Sequence, residues 1–148
     1  KVKSDINIDE EILMLMAARS NHIQNVILPA LDKGKLVISD RFADSTFVYQ
    51  GYVNKFGVKK AINLHKKILN NFLPNKTFLF QLSTKDIINR LRSRKSKNKY
   101  DKLEKNFHDK VNRGYSIIYN KKRFIKIDAS QPINQIHKII ISHINSLI

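Results

Sequence analysis

Three short apolar segments alternate with longer stretches of helical periodicity, and this alternation limits the folds open to the chain. The segments span residues 35–39 (KLVIS), 76–82 (KTFLFQL) and 123–128 (RFIKID), and their β-branched and aromatic residues are typical of buried strands. Because the stretches between them exceed about ten residues, they require crossover connections, which join parallel strands. The sequence therefore predicts an α/β fold, with a parallel sheet covered by helices on both faces.

The first helical stretch has clear start and stop signals. Asp9 can cap its N-terminus, and the helix is predicted to run through Leu31, just before Lys33 and Gly34. Its apolar positions recur every three or four residues; they are Ile12, Met16, Ile23, Val26 and Ala30. Further helices are predicted at 44–52, at 58–72 before Pro74, after Ser83 or Thr84, at 107–121 and after Pro132.

The chain is strongly basic, with 28 Lys and Arg residues against 12 Asp and Glu residues and a formal net charge of +16. Such a charge is typical of proteins that bind nucleic acid or an anionic surface. It is equally what an AT-rich coding sequence produces, since the chain holds 21 Lys, 21 Ile and 15 Asn residues. One segment is more basic than this composition explains. Residues 90–105 contain eight cationic residues: Arg90, Arg92, Arg94, Lys95, Lys97, Lys99, Lys102 and Lys105.

The composition also indicates the cellular compartment in which the protein is expected. The sequence has no Cys, which excludes disulfides and thiolate metal sites. No apolar run reaches the roughly 18 residues of a membrane span, because polar residues interrupt the C-terminal stretch 133–148. We expect a soluble, cytoplasmic protein that folds as one domain over residues 1–148 and has no membrane partner.

The dipeptide Asp40-Arg41 directly follows the first predicted strand, at the edge where open parallel sheets bind ligands. A carboxylate there can hold Mg²⁺ through water, and a guanidinium can bind a phosphate in a fork. The alternative is a solvated Asp–Arg pair that caps the next helix. Polar side chains on the following turns favour a ligand site; they are Ser45, Thr46, Tyr49 and Gln50.

Arginines occupy unusual positions in two other parts of the sequence. Arg19 interrupts the apolar stripe of the first helix, one turn after Leu15, so its guanidinium must reach a partner or a cleft, or else extend to solvent at the edge of the stripe. Arg90, Arg92 and Arg94 alternate at the start of the basic segment. That spacing suits closure on a polyphosphate, although a solvated helical face is the ordinary explanation of such a run.

The order of these motifs resembles that of bacterial thymidylate kinases. The resemblance runs from about Ile6 to the C-terminus and rests on LMAAR, VISDRF, DSTFVYQG, RLRSRKSKNKYDKLE, FHDKVNRGY and IDASQP. It implies a P-loop nucleoside monophosphate kinase fold, transfer of a phosphoryl group from ATP to dTMP with Mg²⁺, a lid at about 92–105 and a homodimer paired through the first helix. Two alternatives are another nucleoside monophosphate kinase and a non-catalytic basic α/β module that binds nucleic acid, a partner that the resemblance does not favour.

The resemblance also implies a role for each matched residue. Arg41 would bind the dTMP phosphate, and Asp40 would lie near Mg²⁺. Arg19 would hydrogen-bond the thymine edge, and Leu15 would lie against the base. Thr46 would lie near the polar ring atoms of thymine, Ser45 and Gln50 would line the same pocket, and Tyr49 would exclude a 2′-hydroxyl. Arg92 and Arg94 would contact the ATP phosphates, and Ala129 and Gln131 would lie near adenine.

The sequence departs from the family pattern in three places. Leu15 stands where the family usually has a Phe that stacks on thymine, and losing that stack would weaken base binding by about 0.5 to 1.5 kcal/mol beyond the area effect. Tyr52-Val53-Asn54-Lys55 replaces a Gly- and Arg-rich turn. No G-x-x-x-x-G-K-[ST] loop is present in the 148 residues. We therefore expect the chain to represent the C-terminal part of such an enzyme and to be inactive as a kinase alone.

Overall fold

The computed structural model describes residues 6–93 and 105–147. The chain divides into two compact units, unit 1 with residues up to 73 together with 110–118, and unit 2 with 74–109 together with 119 onwards. In chain order the helices and strands are α1 (Ile8–His22), α2 (Leu28–Leu31), α3 (Ala43–Thr46), α4 (Val58–Leu69), β1 (Thr77–Gln81), α5 (Thr84–Ser93), α6 (Lys105–Ile118), β2 (Phe124–Asp128) and α7 (Ile133–Asn145). Two π-helical segments, Ile23–Ile27 and Phe47–Val53, follow α1 and α3.

Helix α1 begins two residues earlier than the sequence indicates, because Asn7 is the cap. The Asn7 side chain accepts a hydrogen bond from the backbone N–H of Glu10 at 2.9 Å, and the Glu10 carboxylate accepts one from the Asn7 backbone N–H at 2.9 Å. This reciprocal pair satisfies two donors that a helix end leaves free. The predicted cap at Asp9 is therefore wrong, and Asp9 lies inside the first turn.

The long first helix continues to Leu31 as predicted, but the segment Ile23–Ile27 shifts its buried face. The backbone N–H of Leu28 donates to the carbonyl of Ile23 across this wider turn, which advances the side-chain positions by one residue. Ile27 is consequently buried, with 5% of its surface exposed, whereas Val26 is 53% exposed. The prediction that Val26 belongs to the buried stripe is wrong for this reason.

Residues 35–39 have no regular secondary structure and do not form the predicted strand. A strand requires hydrogen bonds to a neighbour, and within 6–93 and 105–147 no other segment pairs with this one. Leu36 is 53% exposed and Ile38 is 77% exposed. These residues have the apolar, β-branched character that predicted a buried strand, but no described strand pairs with them.

The core of unit 1 lies between α1, the two π-helical segments, α3 and α4. Its buried members are Ile12, Met16, Ile23, Ile27, Ala43, Phe47, Ala61 and Leu69. Helix α4 ends at Leu69 because Asn70 adopts the left-handed conformation, with φ of 47°. The prediction that this helix continues to residue 72 and stops at Pro74 is corrected accordingly.

Unit 2 contains a parallel pair of strands. Strand β1 pairs with β2 in a register that runs from Thr77 opposite Phe124 to Gln81 opposite Asp128, and α5 and α6 lie between them in the chain. This confirms the predicted α/β class with parallel pairing. Ser83 caps α5, as expected, by accepting a hydrogen bond from the backbone N–H of Asp86 at 3.1 Å.

Among the described helices, none combines the length and the apolar character that crossing a lipid bilayer requires.

Candidate active site

Arg19 turns its guanidinium toward the first turns after the DRF motif. Its Nη2 donates a hydrogen bond of 2.7 Å to Oγ1 of Thr46, and its Nη1 lies 3.7 Å from Sδ of Met16. Its Cζ lies 5.4 Å from the centre of the Phe42 ring. Arg19 therefore has the partners that its place in the apolar stripe requires, and it joins α1 to α3 rather than extending to solvent.

A buried carboxylate supports this arginine. Burial lowers the pKa of Arg19, and the nearby charge of Asp44 opposes that effect and raises it. Asp44 itself is only 5% exposed. An acid and a base that are both largely removed from water stabilise each other's charged form. Asp44 had no predicted role, and its only signal in the sequence is its place as the first residue of the DSTFVYQG motif.

Arg41 has an unusual backbone and a side chain held from two sides. Its φ is 68°, in the left-handed region that costs a non-glycine residue about 1–2 kcal/mol, and its carbonyl accepts a hydrogen bond from Oγ of Ser39 at 2.9 Å. Its Nε donates to Oγ of Ser45 at 3.1 Å, and its Cζ lies 4.4 Å from the centre of the Tyr49 ring. Strained residues of this kind are concentrated at functional sites.

The outer edge of the Arg41 guanidinium remains available. Arg41 is exposed, and no residue in the described ranges is hydrogen-bonded to its two Nη atoms. A guanidinium held by Nε still presents two parallel N–H groups, which match two oxygens of a phosphate. The site can therefore bind an anion without breaking the contacts that hold the arginine.

Tyr115 is a further member of this site, and no sequence pattern indicated it. Its hydroxyl lies 3.2 Å from Oγ of Ser45. Burial raises the pKa of Tyr115. The residue lies in FHDKVNRGY, which contributed to the resemblance, but seventy positions separate it from Ser45, and no local pattern reports such a contact.

Gly114 explains how α6 reaches Ser45. A Cβ atom at Gly114 would lie 2.8 Å from Cγ1 of Val48 and 3.2 Å from Cδ1 of Tyr52, so a larger residue does not fit without displacement. The glycine lets α6 approach the π-helical segment Phe47–Val53 closely. This approach places the next residue, Tyr115, against Ser45.

Gln50 and Leu15 are two further predicted site residues of unit 1. Gln50 is 9% exposed, and its Nε2 donates to Oε1 of Glu11 at 2.9 Å, which ties the second π-helical segment to the first turn of α1. Leu15 is half-buried on α1, one turn before Arg19. Eight of the predicted site residues thus belong to unit 1: Leu15, Arg19, Asp40, Arg41, Ser45, Thr46, Tyr49 and Gln50.

Asp40 is exposed next to Arg41. The described part of the chain contains no cluster of three or more His, Asp or Glu side chains that could enclose a metal ion. A single exposed carboxylate fits Mg²⁺, which usually keeps several waters and is held by one or two carboxylates together with substrate phosphates. Asp40 is therefore compatible with the predicted metal contact.

The predicted ATP-binding residues belong to unit 2. Arg92 is exposed near the end of α5, and Arg94, like most of the predicted lid, lies outside the described residues. Ala129 is buried; its N–H donates to the Gln81 carbonyl at 2.9 Å, and its carbonyl accepts from Nη2 of Arg90 at 2.7 Å. These bonds fix the loop that follows β2.

The same loop is closed by Asp128. Its Oδ1 accepts hydrogen bonds from the hydroxyl of Ser130 at 2.6 Å and from the Ser130 backbone N–H at 2.9 Å. These two hydrogen bonds, the side-chain bond first, lower the pKa of Asp128 below its usual value. Gln131 is half-buried at the end of this turn. The loop holds a defined shape through its own bonds.

The chemistry of the unit 1 site is that of recognition. Two guanidinium groups, two aliphatic hydroxyls and two tyrosines surround it, and such groups bind phosphate oxygens and the polar edge of a base. The residues around these arginines include no nucleophile paired with a histidine base. An arrangement of this kind supports catalysis through position and charge.

Comparison with known proteins identifies the family. The family model described as Thymidylate kinase matches residues 2–140. A thymidylate kinase of Mycoplasma capricolum is 41% identical over 137 residues, which cover 90% of this chain and 64% of that protein. One from Rickettsia bellii is 36% identical over 148 residues, covering 97% and 71%, and one from Bacillus licheniformis is 32% identical over 142 residues, covering 93% and 65%. The chain spans about two thirds of the length of these relatives, and it belongs to the thymidylate kinase family.

Proposed function

We propose that the protein acts as a cytoplasmic kinase that transfers the terminal phosphoryl group of ATP to dTMP and so produces dTDP and ADP. The observation that carries this proposal is the exposed Arg41 guanidinium, which is held through Nε by Ser45 while neither Nη atom is hydrogen-bonded to a described residue. The family match supports the identity of the two substrates.

In this proposal the unit 1 residues bind the nucleotide from both ends. The guanidinium of Arg41 binds the phosphate of dTMP by donating two hydrogen bonds, and Arg19 and Thr46 hydrogen-bond the polar edge of thymine. Helix α3 fixes the position of the two arginines relative to each other, because their partners Thr46 and Ser45 are adjacent in that helix. Tyr49 limits space at the 2′ position, and Leu15 and Gln50 complete the pocket.

Catalysis requires no covalent intermediate on the protein. In phosphoryl transfer the protein mainly positions the two substrates and stabilises the charge that develops on the transferred group. Arg41 would hold the acceptor phosphate, and Arg92 and Arg94 would neutralise charge on the ATP phosphates. Ala129 and Gln131 would lie near adenine. Mg²⁺, held through water by Asp40, would supply charge neutralisation at the ATP phosphates when bound.

ADP release with Mg-ATP and dTMP, measured on the full gene product, tests this proposal. Parallel reactions with dUMP and AMP separate a thymidylate kinase from other nucleoside monophosphate kinases. We expect turnover selective for dTMP, and we expect Arg41→Ala to lose about 100-fold or more of it. Arg113→Ala is the matched control, because Arg113 is an exposed arginine on α6. Absence of turnover with every monophosphate would refute the proposal.

A homodimer paired through the first helix belongs to the same proposal. Leu13 and Met14 on α1 are 53% and 60% exposed, and burial of such side chains against a second copy would stabilise a dimer. Analytical ultracentrifugation of the wild type and of a Leu13→Glu, Met14→Glu double variant tests this pairing. A wild type that sediments as a monomer at micromolar concentration would refute it.

A further inference from the structure

A connected chain of three polar groups links helix α6 to the proposed phosphate-binding arginine. The hydroxyl of Tyr115 lies 3.2 Å from Oγ of Ser45, and Oγ of Ser45 accepts the hydrogen bond of 3.1 Å from Nε of Arg41. Tyr115 does not reach the Arg41 guanidinium through any direct hydrogen bond among the described contacts. Its effect on the arginine must therefore pass through Ser45.

We propose that Tyr115 is a positioning residue that donates its hydroxyl proton to Ser45 and thereby fixes Arg41 for binding of the acceptor phosphate. A serine oxygen can accept two hydrogen bonds and donate one. With Arg41 and Tyr115 as its two donors, Ser45 keeps its own proton free. That proton can then be donated to a phosphate oxygen beside the two Nη groups of Arg41.

The surroundings of Tyr115 suit the donor role. The side chain is half-buried, and this burial raises the pKa of its hydroxyl, so the group stays protonated at neutral pH. Asp44 lies close enough to raise the same pKa further. A half-buried hydroxyl that retains its proton requires a hydrogen-bond acceptor, and Oγ of Ser45 lies within hydrogen-bond distance.

The packing of α6 makes this contact specific. Gly114 allows the helix to approach Val48 and Tyr52 more closely than a residue with a Cβ would permit. The hydroxyl of Tyr115 is thus placed by a rigid helix rather than by a loop. Rigid support of this kind is what holds a binding group at the right distance.

The inference rests on the proposed function, and Tyr115→Phe tests it. Affinities of the full gene product for dTMP and for thymidine, which lacks the phosphate, are measured by isothermal titration calorimetry. We expect Tyr115→Phe to weaken dTMP binding about 5- to 10-fold, the loss typical of one hydrogen bond between neutral groups, and to change thymidine binding less than about twofold. Tyr52→Phe is the matched control, because Tyr52 packs against the same stretch of α6 and its hydroxyl has no hydrogen bond among the described contacts.

A double-mutant cycle with Ser45→Ala identifies the route. If Tyr115 acts through Ser45, the Tyr115→Phe substitution has no further effect on dTMP affinity once Ser45 is alanine. Independent, additive losses would overturn the proposal. If Tyr115→Phe does not fold, Ser45→Ala alone must still reduce affinity for dTMP more than affinity for thymidine, and equal losses would refute the relay.

The outcomes separate the two proposals. A wild type that binds neither dTMP nor thymidine refutes the proposed function, and the positioning role with it. A wild type that binds dTMP, together with a Tyr115→Phe variant whose preference for dTMP over thymidine is unchanged, refutes the positioning role alone.

Discussion

Nη2 of Arg19 lies 2.7 Å from Oγ1 of Thr46, and this bond connects a charged residue of the first helix to the motif that follows residues 35–39. Thr46 is 3% exposed. The bond satisfies a half-buried guanidinium, and it fixes the Arg19 side chain in the place where the proposed function needs it to bind the base.

Replacing Thr46 with valine tests the structural side of this bond. Thr46→Val keeps the shape of the side chain but leaves a half-buried donor of Arg19 without its acceptor, and we expect the free energy of unfolding to fall by about 1–3 kcal/mol. Urea unfolding measures the change. Thr46→Ser keeps the hydroxyl and should lose less; equal losses in the two variants would show that the methyl group, not the bond, is responsible.

Gly114 provides a second test, of the packing that positions α6. A Cβ at this position would lie 2.8 Å from Cγ1 of Val48, so we expect Gly114→Ala to destabilise the protein by about 1–3 kcal/mol through overpacking. Removing the obstructing methyl groups with Val48→Ala should make the added Cβ easier to accommodate. In thermal or urea unfolding, the loss caused by Gly114→Ala should therefore be smaller in the Val48→Ala background, and an unchanged loss would contradict the predicted clash.

Local sequence patterns predicted most of the helices and the two paired strands. Strand β1 and strand β2 lie where short β-branched and aromatic segments indicated them, because such segments carry their preference in adjacent residues. Residues 35–39 carry the same preference, yet strand formation also depends on a partner that local patterns do not report.

The candidate site was predicted only in part, because local sequence patterns do not report contacts between distant residues. Arg19, Arg41, Ser45 and Thr46 were identified because a charge in an apolar stripe and a polar cluster after a predicted strand are visible in the sequence. Tyr115 was not, because its contact with Ser45 joins positions seventy residues apart. The one-residue shift of the π-helical segment Ile23–Ile27 was likewise missed, since ordinary helical spacing continues on either side of it.

The loop after β2 leads to a prediction about pH. Hydrogen bonds from Ser130 lower the pKa of Asp128 below its usual 3.8, so the folded state favours the ionised carboxylate and the resulting stability is present above that value. It is lost as the pH falls through the lowered pKa of the folded state. We expect Ser130→Ala to raise the pKa of Asp128 toward 3.8, as measured by NMR titration of its carboxyl carbon. An unchanged pKa in the variant would contradict the assignment of its cause.

Arg41 allows fold and function to be separated at one position. Its φ of 68° suits glycine better than any residue with a Cβ, so we expect Arg41→Gly to be more stable than Arg41→Ala by about 1 kcal/mol. Both variants lose the guanidinium, and both should lose about 100-fold or more of dTMP turnover. Chemical unfolding and ADP release, measured on the same preparations, make the comparison. Equal stabilities would show that the left-handed backbone is not maintained in solution, and retained turnover in the glycine variant would remove Arg41 from the proposed phosphate site.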